Sequence, residues 1–249
     1  MFPLSDDNPR LAWPFVTALL IALNVFSWLV LQGAGTERPL ANSLCQFGLI
    51  PADLLGTALP GTRVQLGATL YCLIDGMPGW LSVWSSMFMH GGWMHIVGNM
   101  WFLWVFGDNV EDVMGPWRYL LFYLLSGAVA AALQVASDPS STVPMVGASG
   151  AIGGVMGAYA RLYPRARVQT LLFLGIWITR VQVPALLMLG YWFLLQVLGG
   201  LPALGATEGG VAFWAHIGGF LGGLVLSFVL VDPERRRRQQ RLRLLSGLG

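Results

Sequence analysis

The sequence predicts an all-α polytopic membrane protein, a bundle of six transmembrane helices with a long outer loop between helices 1 and 2. Three observations carry that prediction. Of 249 residues, 55% are hydrophobic and only 10% are charged, whereas a soluble domain carries about 25% charged residues. Six apolar segments, at about 11–31, 88–107, 117–136, 147–163, 181–198 and 211–231, approach the roughly 20 residues that a spanning helix needs. The 14 basic residues, all arginine, are distributed unevenly between the segments that join them. No linker or internal repeat divides the chain. The expected organisation is a short cytoplasmic segment (1–10), one six-span domain (11–231) and an Arg-rich cytoplasmic tail (232–249).

The first apolar segment follows Arg10 and lacks an A-x-A cleavage site, so it reads as a retained span and not a signal peptide. The loop after it, residues 32–87, holds apolar pieces at 44–55 and 79–84 that suit the membrane interface. Cys45 and Cys72 both lie in this loop. Spacing leaves a disulfide and two free thiols equally open. The fourth segment is short and the fifth has an ill-defined start. The stretch 168–179 is also apolar, and either extends span five or lies at the interface.

Arginine placement sets the orientation. With a cytoplasmic N-terminus, Arg10, Arg118, Arg161, Arg165, Arg167, Arg180 and six tail arginines from Arg235 to Arg243 are inside. Only Arg38 and Arg63 are then outside, as the positive-inside rule requires. An even number of spans makes both termini cytoplasmic. Trp13, Trp80, Trp84, Trp93, Trp117 and Trp214 fall near span ends, where an aromatic belt forms. The basic tail reads as a topology anchor beside anionic membrane lipid, and no nucleic acid is needed to explain it. Short termini and six spans point to a bacterial cell (inner) membrane.

This orientation gathers the unusual residues at one depth. Spans two, four and six all run from outside to inside. His90, His95 and Asn99 lie in the first part of span two, Ser149 opens span four, and His216 lies in the first turns of span six. Polar side chains in hydrocarbon are costly unless paired or used. A serine that can reach a histidine is the minimum equipment for nucleophilic acyl transfer. Glycines at 150, 153, 154 and 157, and at 218, 219, 222 and 223, give spans four and six small faces that allow close approach in lipid.

Each residue also has a plainer reading. Ser149 alone would suit a helix N-cap, although its glycine neighbours leave the hydroxyl accessible. His216 alone would suit a packed histidine, although its glycine-rich helix favours a general base. His95 and Asn99, spaced i,i+4, share a helix face and suit either oxyanion donors or an interhelical polar pair. His90, nearer the surface, reads as structural. The zinc motif H-E-x-x-H is absent. Asp108 and Asp112 lie together at the inner end of span two, so a pair of aspartates on facing spans is lacking. Serine chemistry remains, with neither metal nor cofactor expected.

Together these residues resemble the rhomboid family of intramembrane serine proteases. The likeness covers about 11–231 and runs in family order: His90…His95-xxx-Asn99, Gly107…Glu111, Trp117-Arg118, Gly147-Ala148-Ser149-Gly150, and Ala215-His216 with its following glycines. It implies Ser149 as nucleophile and His216 as base, a dyad without a third acid. It implies His95, Asn99 and the Ser149 backbone N–H as oxyanion donors, Gly147 as guardian of the approach to Ser149, and His90 and Glu111 as structural. The implied substrates are single-span membrane proteins, cut near the outer face. The loop near 138–145 and span five are candidate gates. One departure stands out. Some relatives place an aromatic residue four after the serine, against the histidine, and here that residue is Gly153. A proteolytically inactive rhomboid-like chaperone or adaptor, and a small transporter using His95, Asn99 and His216, are the competing expectations.

Overall fold

Helices stand at the six places where apolar segments were predicted. The computed structural model describes residues 1–66, 70–74, 79–174, 177–203 and 211–247. In chain order the elements are β1 (Phe2–Asp6), α1 (Phe15–Phe26), α2 (Glu37–Phe47), α3 (Pro51–Leu54), β2 (Arg63–Gln65), β3 (Tyr71–Leu73), α4 (Ser82–Ser85), α5 (Trp93–Met114), α6 (Pro116–Ser137), α7 (Ser149–Leu162), β4 (Arg167–Leu174), β5 (Trp177–Pro184), α8 (Ala185–Ala203), α9 (Phe213–Leu230) and α10 (Pro233–Leu245). Among the described residues, α6, α8 and α9 are by length and composition apolar enough to cross a membrane alone.

The other three helices fall short of that standard for local reasons. α1 continues only through a π-helical turn, Ser27–Leu31. Its start has no side-chain cap of its own. Acids from the end of α5 supply one. Glu111 accepts hydrogen bonds from the backbone N–H of Val16 and Thr17 at 2.9 and 2.8 Å. Asp112 accepts from Leu11 N and Ala12 N. Glu111 thus satisfies backbone donors that a helix start leaves orphaned, and Asp112 holds the segment that leads into the helix. Glu111 also accepts from the Thr17 hydroxyl at 2.8 Å.

α5 ends at Gly115, whose φ of 78° favours glycine. Pro116 then opens α6, a position that spares proline its missing donor. α7 has 14 residues, a length of about 21 Å against a hydrocarbon core of about 30 Å. It is too short to reach both faces of such a layer. It is buried throughout residues 150–160 and forms the centre of the bundle, with α5, α6, α8 and α9 around it. The core includes Leu103, Phe106, Val110, Phe122, Ile152 and Val155.

The close contact between α7 and α9 follows from their glycines. A Cβ at Gly219 would lie 1.9 Å from the Gly150 carbonyl oxygen, and one at Gly223 would lie 2.2 Å from that of Gly154. Only residues without a side chain allow the two backbones to meet.

Two corrections apply to the predicted architecture. First, the chain is mostly helical but not all-α. β1, β4 and β5 form an antiparallel sheet in the order β1-β4-β5, and β2 pairs with β3. The stretch expected at 168–179 to extend span five or lie at the interface is β4 and the start of β5, with 175 and 176 outside the described residues. The physical signal was present: Thr179-Arg180-Val181-Gln182-Val183 places a β-branched residue at every second position. Second, α8 starts at Ala185, because residues 181–184 complete β5. The tail, for which no element was predicted, is a helix for most of its length. Asp232 caps α10, accepting from Glu234 N and Arg235 N at 2.9 and 3.2 Å. The Arg235 and Glu234 backbone donors hold the Asp232 carboxyl below its ordinary range.

Cys45 and Cys72 form a disulfide, with Cα atoms 5.4 Å apart, joining α2 to β3. The alternative of two free thiols is set aside.

Candidate active site

Ser149 is the first residue of α7, with Ala148 as the N-cap and no capping side chain. The capping role open to Ser149 is therefore not the one it takes. Its hydroxyl meets His216 of α9, with Oγ 2.8 Å from Nε2. α9 is held at its own start by α6, where Gln134 Oε1 accepts from Ala215 N at 3.1 Å. The glycine contact of α7 with α9 and this cap set the Ser149–His216 distance.

The two residues lie at the wall of a cavity of about 740 Å³, lined also by His95, Asn99, Met145 and Trp192. His95 Nδ1 accepts from Gly91 N at 3.3 Å. An accepting Nδ1 carries no proton, so Nε2 of the neutral ring is the donor. Gly147 separates that donor from the serine. It has φ of 123°, and a Cβ on it would lie 2.7 Å from His95 Nε2 and 3.5 Å from Ser149 Oγ. The absent side chain thus leaves a small space touching both a donor and a hydroxyl. Asn99 is buried, and its Nδ2 has no acceptor among the described residues. The Ser149 N–H belongs to the first turn of α7, where a helix supplies no internal acceptor and its dipole favours negative charge.

His90 is fully buried and its backbone is clamped by Gln32. Gln32 Nε2 donates to His90 O at 2.7 Å, and His90 N donates to Gln32 Oε1 at 2.8 Å. Its ring meets His95 edge to face, with centroids 5.1 Å apart. His90 therefore packs the ring behind the donor and stands back from the serine.

The loop leading to Ser149 is tied down more than its candidate role as a gate implied. Leu49 and Met145 exchange backbone hydrogen bonds of 3.0 and 2.8 Å, Ala52 N donates to Ser141 O at 3.0 Å, and Gly147 N donates to Ser86 O at 2.9 Å. α8 has many exposed apolar residues, among them Leu186, Leu187, Leu194 and Leu198.

Two residues of α8 were not singled out in the sequence. Gln196 Oε1 lies 2.8 Å from His216 Nδ1. Trp192 sits against the His216 ring, with centroids 5.7 Å apart and planes at 38°. The signal for Gln196 was available: it is a glutamine within an apolar helix, and a buried amide needs hydrogen-bond partners. Its partner lies 20 residues away in sequence and was not legible.

Chemically, a neutral imidazole within hydrogen-bond reach of a hydroxyl can take its proton. Donors converging on a nearby space can hold an oxyanion.

Comparison with known proteins identifies the family. The Rhomboid domain family profile matches residues 78–233, more than half of the chain. "Rhomboid protein 1, mitochondrial" of Saccharomyces cerevisiae is 27% identical over 170 residues, 65% of this chain and 45% of the relative. "RHOMBOID-like protein 5" of Arabidopsis thaliana is 31% identical over 179 residues, 72% and 52%. "Rhomboid protease GluP" of Bacillus subtilis is 29% identical over 221 residues, 89% and 36%. The chain spans about half the length of these three relatives, or less. The matched profile spans the positions of both Ser149 and His216, and the chain belongs to the rhomboid family.

Proposed function

We propose that this chain is an intramembrane serine endopeptidase that cuts single-span membrane proteins in or near their transmembrane segments. The observation that carries the reading is the 2.8 Å contact between Ser149 Oγ and His216 Nε2 at the wall of the cavity. Ser149 is the nucleophile and His216 the general base. His95 Nε2–H, Asn99 Nδ2–H and the Ser149 backbone N–H are the oxyanion donors, and Gly147 keeps the space before them clear. His90 serves by holding the His95 ring.

The steps follow from these roles. Ser149 Oγ attacks the scissile carbonyl carbon while its proton passes to His216 Nε2. The carbonyl electrons move to oxygen, and the resulting oxyanion accepts from the three donors. The oxyanion collapses, the C–N bond breaks, and His216 gives its proton to the leaving amine. Water then attacks the acyl-enzyme with His216 again accepting a proton, and Ser149 is restored.

The proposed topology has six spans, α1 and its π-helical turn, α5, α6, α7, α8 and α9, with both termini cytoplasmic and the cavity open to the outer side. Residues 1–10 and 232–249 flank the 11–231 domain on the cytoplasmic side. Arginine placement supports this orientation. An inactive adaptor would not need the serine and histidine in contact. A transporter would need polar residues continuing through the bundle, whereas the buried core at α7 is apolar on the inner side of Ser149.

The test compares wild type with Ser149→Ala in proteoliposomes holding a reporter single-span substrate. Cleavage by wild type should be abolished in the variant. Equal cleavage by both would rule out the serine mechanism.

A further inference from the structure

The orientation of His216 is explained by α8. Gln196 Nε2 donates to the carbonyl oxygen of Trp192 at 3.1 Å. A carbonyl oxygen only accepts, so the amide must present its NH₂ there and turn Oε1 toward His216. Oε1 also only accepts, so His216 Nδ1, 2.8 Å away, must carry the proton. A neutral imidazole has one such proton. The lone pair is then on Nε2, facing Ser149 Oγ at 2.8 Å. One backbone carbonyl thus fixes the amide, and the amide fixes the tautomer that a general base requires.

Trp192, one helical turn before Gln196, gives the ring its aromatic neighbour. Its ring lies beside position 153, which has no side chain. A Cβ at Gly153 would lie 3.8 Å from Trp192 Cη2 and 3.1 Å from the His216 carbonyl oxygen. Residues 192 and 196 are spaced i,i+4 and share one face of α8. Gln196 is itself buried, so its amide is worth burying only with its bonds made. His95 of α5 is the titratable group that shares the cavity wall with His216.

We propose that Gln196 is a positioning residue that fixes the tautomer and ring orientation of His216, so that the base is set by a helix carrying neither member of the dyad. This rests on the protease reading above. Removing the acceptor while keeping the bulk leaves the ring free to rotate and to place its proton on Nε2. The chemical step is then slowed and substrate binding is not.

The experiment uses the full chain in proteoliposomes with a reporter single-span substrate, comparing wild type, Ser149→Ala, Gln196→Met and Gln196→Glu. Cleavage by wild type and none by Ser149→Ala first establishes the serine reading; no cleavage by wild type is the failure of that reading alone. Gln196→Met should lower kcat roughly 10- to 100-fold, part of the 10²–10⁴-fold that general-base catalysis supplies, with KM within about twofold. Gln196→Glu keeps an acceptor for Nδ1–H and should regain most of the lost kcat. Its carboxylate stabilises the imidazolium, so the acidic limb of the kcat/KM profile should move to higher pH, by about one unit or more. A Gln196→Met enzyme within twofold of wild type in kcat would overturn the proposal. So would a Gln196→Glu enzyme as slow as Gln196→Met with its acidic limb unmoved, because packing alone would then explain the loss.

Discussion

Asn99 shows at the scale of one residue how a site stores its function as a cost. Its Nδ2 is buried without an acceptor among the described residues, and an unmet buried donor costs about 1–3 kcal/mol. Its partner one turn earlier, His95, points the proton of Nε2 toward the same region beside Gly147. The i,i+4 spacing of the two was legible in the sequence, but it left oxyanion donors and a structural pair equally open. The unpaired donor favours the first. We therefore expect Asn99→Leu to lower kcat by about 10²–10³-fold, the usual loss for an oxyanion donor, while the thermal midpoint in detergent stays level or rises. Cleavage rates and melting curves on the same preparation check this. A midpoint that falls by several degrees together with activity would return Asn99 to the structural role. Gln196 illustrates the opposite case, in which a single buried amide was visible in the sequence but the residue it serves was not.

At the scale of elements, the catalytic distance depends on how closely α7 and α9 approach. The glycine faces were readable from sequence because small residues at three- and four-residue spacing have one physical use in lipid. The strands were harder. Apolar content over 168–179 resembled the edge of a span, and the alternation that marks β4 and β5 was outweighed by it. β1 pairs with β4 across more than 160 residues of chain, a register that no local pattern encodes. The glycine faces yield a paired prediction. Gly219→Ala would set a methyl 1.9 Å from the Gly150 carbonyl oxygen, so the helices must separate, at a cost of about 1–3 kcal/mol or more. Ser149 and His216 stand beside these glycines, and a displacement of about 1 Å at a reacting pair costs roughly 10²-fold. Gly190→Ala in α8 meets nothing within 4 Å. Gly219→Ala should therefore lose about 10²-fold in cleavage rate and melt earlier, and Gly190→Ala should match wild type in both. Equal behaviour of the two variants would mean that helix contact does not set the dyad.

For the whole molecule, arginine placement and the disulfide make separate statements about the same loop. Twelve arginines fall on one side of the proposed six-span path and only Arg38 and Arg63 on the other, and these two are in the segment that also holds Cys45 and Cys72. Disulfides persist in oxidising compartments and are kept reduced in the cytosol, so the Cys45–Cys72 bond agrees with an outer loop for a reason unrelated to charge. The two arguments meet in one measurement. An impermeant maleimide added to sealed cells should label neither cysteine of the untreated protein. After an impermeant reductant is added from outside, it should label both of the 2 cysteines in the chain. Labelling without reduction would contradict the disulfide and leave orientation to charge alone. Labelling only after the membrane is breached would invert the topology and turn the Ser149 cavity to the cytoplasm, so that substrates would have to be cut at their inner ends.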